Sequence, residues 1–137
     1  MKVENHVYPT QDRVAALMGN PSADPIIMLN LLKFRDKAQY ADGRATTLSG
    51  REAYMMYGEA MQKFVLKNGG KFVFQGVIEQ LVIGEVEQMW DLVALVEYPS
   101  AAAFAKIATS PEVSEIGVHR AAGLEGQLLI RVQQRPF

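Results

Sequence analysis

The sequence predicts an α+β domain of the ferredoxin-like βαββαβ kind, in which helices cover one face of a four-stranded antiparallel sheet. The first observation is the order of strand-type and helix-type segments along residues 26–133. The second is size, because 137 residues, 49% of them hydrophobic, suffice for one core but not for two domains. The third is that several strands are apolar on both faces, which indicates burial on both sides of the sheet.

Residues 1–22 are predicted to form an N-terminal arm with one short helix, and residues 23–137 the domain itself. Thr10 can cap the helix QDRVAALMG, which the Gly-Asn-Pro sequence after it ends. The first strand of the domain, residues 26–34, holds one amide, Asn30, in an otherwise apolar run. An unpaired buried amide costs about 1–3 kcal/mol, so we expect Asn30 to have a hydrogen-bond partner.

Residues 35–49 have no hydrophobic periodicity and contain the turn signal Asp42-Gly43, so a long loop is predicted. Its last residue, Ser49, and Glu52 have the spacing of a capping box. The helix that follows has an apolar face and is predicted to run to about residue 68, where Gly69-Gly70 ends it.

The rest of the chain supplies a hairpin, a helical region and a last strand. Residues 71–84 and 90–98 are predicted to pair as strands, joined by EVEQM. Two helices are expected next, AAAFAKIA and a second one with Pro111 at its first position. The strand GQLLIRVQ, residues 126–133, completes the order.

A second copy of the chain is predicted to cover the other face of the sheet. Two helical segments can cover one face only, whereas the strand segments 26–32, 92–96 and 128–132 are apolar on both sides. The chain has no spare element large enough for this purpose. We therefore predict a homodimer formed through the sheet face by a two-fold contact.

Charge and composition exclude several classes of protein. Fourteen basic and fifteen acidic residues give a net charge of −1 without a basic block, which predicts no nucleic-acid partner. No apolar run could span a bilayer and the N-terminus lacks a signal-type segment, so we expect no membrane association and a cytoplasmic location. With no cysteine, two histidines and no nucleotide-binding glycine motif, neither a metal nor a cofactor is predicted.

Several segments together resemble a known family. The apolar first strand, the tyrosines of EAYMMYGEA, the Gly-Gly pair, VEYPSAAAF and TSPEVSEIGVHRAAGLEGQLLI have the order and spacing of the domain of unknown function 1330 family. The resemblance covers roughly residues 25–133 and implies the dimeric α/β-barrel form of the ferredoxin-like fold, in a family without an established function. The chain departs from the family pattern in its N-terminal helix and in the 35–49 insertion, and the family's usual aromatic near the start of the second helical region is here Phe104.

The predicted ligand-binding residues lie on the first strand, the long loop, the first domain helix, the third strand and the last helix. They are Asn30, Arg35, Tyr40, Tyr54, Tyr57, Trp90 and Arg120. Asn30 could present its amide to a ligand between the sheet and the partner. Alternatively, neighbouring backbone or its symmetry mate could satisfy it. The tyrosines of the helix could likewise serve a pocket or simply bury their rings in the core.

His119 is the candidate catalytic residue. Imidazole can act as acid or base near neutral pH, and Arg120 beside it could hold a carboxylate. The alternative is that both residues stabilise the C-terminal end of their helix through its dipole. The sequence leaves open whether the protein is an enzyme.

The function predicted from these residues is binding of a small apolar or aromatic metabolite in a cleft of the homodimer. A non-catalytic dimeric interaction protein is the alternative. The superfamily also contains cofactor-free monooxygenases, lactone isomerases and haem-degrading enzymes, so the fold does not assign a reaction. Asn30, Trp90 and His119 match in type and order the residue set of the haem-degrading members.

Overall fold

The computed structural model describes residues 3–21 and 23–136 and has the predicted order of elements. The helices are α1 (Gln11–Met18), α2 (Gly50–Lys67), α3 (Ala101–Ala108) and α4 (Pro111–Gly123). The strands are β1 (Ile26–Phe34), β2 (Lys71–Val77), β3 (Leu92–Tyr98) and β4 (Leu124–Val132). All strand pairs are antiparallel, in the order β2-β3-β1-β4, which confirms the α+β, ferredoxin-like fold class. The predicted boundary between arm and domain, at residue 22, lies outside the described residues.

The helix starts follow from local capping signals. The backbone N–H of Glu52 donates to Ser49 Oγ at 3.0 Å, and the Ser49 N–H donates to Glu52 Oε1 at 2.9 Å, so the predicted capping box is confirmed. Thr10 caps α1 in the same way, by accepting from the Arg13 N–H at 3.3 Å. These side chains satisfy N–H groups that the first turn of a helix leaves without partners.

The second strand is shorter than predicted, because β2 ends at Val77 rather than at residue 84. Beyond Val77 the Ile78 N–H donates to Asp91 O at 3.0 Å, and the following residues are mostly exposed, Ile83 at 89%. The central strand β1 leaves the sheet after Phe34, so a longer hairpin would extend without a third strand beside it. A two-stranded ribbon is marginally stable in water, which accounts for the difference.

Helices pack on one face of the sheet, and the opposite face is partly exposed. Alternate residues of β1 and β3, among them Met28 and Val96, form the core with Met61 and Val65 of α2. We call the opposite side the outer face. It is formed by Leu29, Leu31, Phe74, Val93, Leu95, Leu128, Ile130 and Val132. Phe74 and Ile130 on that face are 54% and 45% exposed.

Helices α2 and α4 meet backbone to backbone at two glycines. A Cβ added to Gly123 would lie 2.3 Å from Gly50 O and 2.8 Å from the Tyr54 N atom, so only glycine fits at this crossing. The long loop packs on the same junction, because the Gln39 N–H donates to Ala122 O at 2.9 Å. The last turn of α4 is thereby held against the first turns of α2.

Candidate functional site

Asn30 lies on the helix-covered face of the sheet, because it alternates with Met28 and Leu32. Of the possibilities left open for Asn30, a position between the sheet and a partner on the outer face is therefore wrong. Met28 and Leu32 are 3% and 0% exposed, whereas Asn30 between them is partly exposed. Leu129, its neighbour on β4, is 47% exposed. The helix layer thus does not completely cover the centre of β1.

Asn30 is the first member of a chain of polar side chains. Its Nδ2 donates to Met28 O at 3.1 Å and to Ala94 O at 3.4 Å, so neighbouring backbone does satisfy the amide donors. Its Oδ1 accepts from Gln127 Nε2 at 2.9 Å. Gln127 Oε1 in turn accepts from Arg120 Nη1 at 2.8 Å. Asn30 therefore fixes Gln127, and Gln127 fixes the guanidinium.

Gln127 is a site residue that the sequence analysis missed. It pairs with Leu32 and stands on the helix-covered face of β4. The available signal was the same as for Asn30, since Gln127 is an amide at the start of the apolar run LLI.

Arg120 has few partners for its charge. It is partly exposed, and within the described residues no carboxylate forms an ion pair with it. Its Cζ lies 5.1 Å from the centre of the Tyr8 ring, a cation–π distance. Tyr8, in the N-terminal arm, was also absent from the predicted set.

Tyr54 and Tyr57 of α2 pack against each other near Arg120. Their ring centres are 5.6 Å apart, and Tyr54 also packs on Phe34 at 5.3 Å. Burial raises the pKa of both phenols, while the nearby charge of Arg120 opposes that rise. In the described part of the chain neither hydroxyl has a hydrogen-bond partner. Asn30, Gln127 and Arg120 form one hydrogen-bonded chain, and Tyr54 and Tyr57 lie within electrostatic reach of Arg120. We call the region between these five side chains the Asn30 cleft.

Tyr40 and His119 form a separate cluster at the long loop. The Tyr40 hydroxyl and His119 Nδ1 are 2.7 Å apart, within hydrogen-bond distance. Arg44 lies over the Tyr40 ring at 4.5 Å and pairs with Asp42 at 2.7 Å, which lowers the pKa of that carboxyl. His119 thus contacts the loop, although Arg120 beside it belongs to the Asn30 cleft.

Two predicted residues lie elsewhere. Arg35 is used structurally, since its Nε donates to Leu124 O at 3.1 Å and its Nη1 to Gln39 Oε1 at 3.2 Å. Trp90 is buried beside a separate pocket of about 200 Å³. The residues around that pocket are Val3, Asn5, Lys33, Glu87, Gln88 and Trp90.

The remaining chemistry of the site is limited. Asn30, Trp90 and His119 each contact different groups, so the structure does not assemble the set that resembles haem-degrading enzymes.

Across residues 3–21 and 23–136 no three His, Asp or Glu side chains are grouped as metal ligands would be. In the same ranges, every helix is too short or too polar to cross a bilayer.

Comparison with known proteins relates the chain to a family and to solved structures. The family model described as domain of unknown function 1330 matches residues 38–133. No curated protein matches the chain. The methylated RPA0582 protein has a crystal structure that is similar to this chain, with 39% identity, 96% of each chain covered and a TM-score of 0.88.

Two further structures are similar to different degrees. One is described as the RPA0582 protein of unknown function from Rhodopseudomonas palustris. It is 37% identical, with 97% of this chain and 100% of that chain covered and a TM-score of 0.87. An uncharacterised NIPSNAP-like domain protein from Burkholderia xenovorans is 16% identical, with 85% and 90% covered and a TM-score of 0.50. This last similarity concerns the fold alone.

Proposed function

The chain belongs to the domain of unknown function 1330 family, and on the geometry of its site we propose that it binds a small apolar or aromatic metabolite in the Asn30 cleft. The observation that carries this proposal is the partial exposure of Asn30 between two fully buried neighbours at the centre of the sheet. A helix layer that served packing alone would close over that position.

The lining of the cleft suits a flat, largely apolar molecule. Tyr54 and Tyr57 offer ring surface, and their hydroxyls have no protein partner that a ligand would need to displace. Asn30 acts through Gln127 rather than by direct contact, because protein atoms already occupy its donors and its acceptor. Its role is that of a positioning residue beneath the ligand.

We also propose that two copies pair through their outer faces. Every strand contributes apolar side chains to that face, and exposed apolar area of this continuity is typical of an interface. An isologous contact between identical sheets would remove it from water. The cleft opens on the helix side, so pairing in this way leaves it accessible.

A non-catalytic interaction protein is the second candidate function. The observation that favours it is the complete hydrogen bonding of Asn30 by protein atoms. In that case the polar chain would specify the packing of α4 on the sheet, and the outer face alone would serve function.

Thermal-shift screening of a metabolite library tests the first candidate against the second. We expect aromatic or apolar compounds to raise the Tm of the wild type, and Asn30→Ala to reduce that rise because Gln127 loses the acceptor that fixes it. Asn68→Ala is the matched control, since it removes an exposed amide that donates to Phe64 O at the end of α2. If no compound stabilises the wild type, or if both variants respond as it does, the proposal fails.

A further inference from the structure

Resting on the proposed function, we propose that the ligand of the Asn30 cleft carries a carboxylate, which Arg120 binds, and that Tyr8 of the N-terminal arm forms one wall of this subsite. Nothing in the family assignment specifies the chemistry of a ligand. The inference comes from hydrogen-bond donors and charge that the fold leaves without partners.

The guanidinium of Arg120 has more donors than the described residues use. A guanidinium carries five N–H donors in a planar fork, and one contact here is accounted for, from Nη1 to Gln127 Oε1. The fork matches the two oxygens of a carboxylate, which it can bind through two parallel hydrogen bonds. Gln127 holds one arm of the fork, so the group is oriented before a ligand arrives.

The surroundings of Arg120 do not neutralise its charge. No carboxylate of the described residues pairs with it, and on α2 the phenols of Tyr54 and Tyr57 lie close enough to feel its charge. A partly buried cation beside neutral aromatic rings attracts an anion more strongly than an exposed one does, because water screens it less. The combination of one cation with two rings favours an aromatic carboxylate over a phosphate or an amine.

Residues 3–10 of the N-terminal arm bring Tyr8 to the same place. The Gln127 N–H donates to His6 O at 2.9 Å, and Val7 packs on the core cluster that contains Leu32 and Leu124. These contacts run the arm past Gln127 and leave the Tyr8 ring 5.1 Å from Arg120 Cζ. Tyr8 is itself 62% exposed, so most of its ring surface is free to contact a bound molecule.

The competing explanation is that Arg120 only stabilises the end of α4, where it stands in the last turn. That role predicts no preference between an acid and its neutral isostere. Titration calorimetry with matched pairs, phenylacetate against phenylacetamide and benzoate against benzamide, separates the two explanations. We expect the wild type to bind the acids about ten- to hundredfold more tightly, as for a hydrogen-bonded charge pair.

Four proteins complete the experiment. Arg120→Gln should abolish the preference for the acid, Arg120→Lys should keep part of it, and Tyr8→Ala should weaken both members of each pair. Arg44→Gln is the control, because it also removes an arginine in contact with a tyrosine ring, outside the cleft. Circular dichroism verifies that each variant is folded. If Arg120→Gln does not fold, the reduced preference for the acid in Arg120→Lys is the measurement that decides.

The failure of this inference is distinguishable from failure of the proposed function. If the amides bind as tightly as the acids, or if Arg120→Gln keeps the preference, the carboxylate inference is overturned while the cleft remains a binding site. If no member of any pair binds, the inference is overturned as well. The proposed function falls only when the wider metabolite library also gives no stabilisation.

Discussion

Replacing Gly123 with alanine should force α4 away from α2 and disturb the Asn30 cleft. The added Cβ would lie 2.3 Å from Gly50 O, and ordinary contact begins near 3.4 Å, so the two backbones must separate by about 1 Å. The two closest atoms, Gly50 O and the Tyr54 N atom, belong to the backbone and cannot rotate aside. Gly117, on the same helix, is the matched control because a Cβ there would meet no atom within 4 Å.

The two substitutions should therefore change stability in opposite directions. Overpacking of this kind costs about 3 kcal/mol, at the upper end of the usual range because neither neighbour can yield. For a domain of this size the Tm should fall by about 10 °C. Gly117→Ala should instead add about 0.5–1 kcal/mol, since alanine favours a helix interior more than glycine does.

Thermal unfolding followed by circular dichroism at equal protein concentration measures both effects. Because Arg120 lies one turn before Gly123, the same change should also lengthen the 2.8 Å contact to Gln127 and weaken ligand binding. Equal Tm values for the two alanine variants would refute the close approach of α2 and α4 from which the site is built.

Three further predictions concern a helix cap, the buried phenols and the outer face. Ser49→Ala should cost about 1 kcal/mol in the free energy of unfolding measured with urea, because it removes the capping box. Three phenols have a pKa raised by burial: Tyr54, Tyr57 and Tyr98. Their contribution to stability is present below the ordinary phenol pKa of about 10 and is lost as pH rises through the folded-state values. Absorbance at 295 nm should accordingly show these groups ionising only together with alkaline unfolding, and ionisation while the fold is intact would contradict their burial. Leu95→Glu, on the outer face, should convert a dimer to a monomer in sedimentation velocity, whereas Leu66→Glu, 69% exposed on α2, should not. A dimeric Leu95→Glu protein would refute pairing through that face.

Local signals in the sequence were sufficient for most element boundaries. The strand at residues 26–34 and the helix start after Ser49 follow from apolar runs and capping residues, which act within a few positions. The end of β2 could not be predicted in this way. The apolar residues after Val77 resemble a strand, but pairing depends on where β1 leaves the sheet, which is a property of the assembled fold.

The site was predictable only in part, because local sequence signals identify a residue but not the contacts made by the assembled fold. Asn30 stood out as an amide in an apolar strand and does have the required partners. Its face could not be assigned, because β1 is apolar on both sides and the pattern does not distinguish helices from a partner. Tyr40 and Arg35 sit in a loop whose path depends on contacts with α4, so their separation from the cleft was not predictable from spacing.

The most direct test of the central claim, that the Asn30 cleft is the ligand site, is a nuclear magnetic resonance titration. Side-chain amide signals of Asn30 and Gln127 are followed while an aromatic compound that stabilises the protein is added, with Asn68 as an internal control. The first two signals should shift together with saturation, and the Asn68 signal should not. Shifts confined to the indole N–H of Trp90, at the separate pocket, would contradict it.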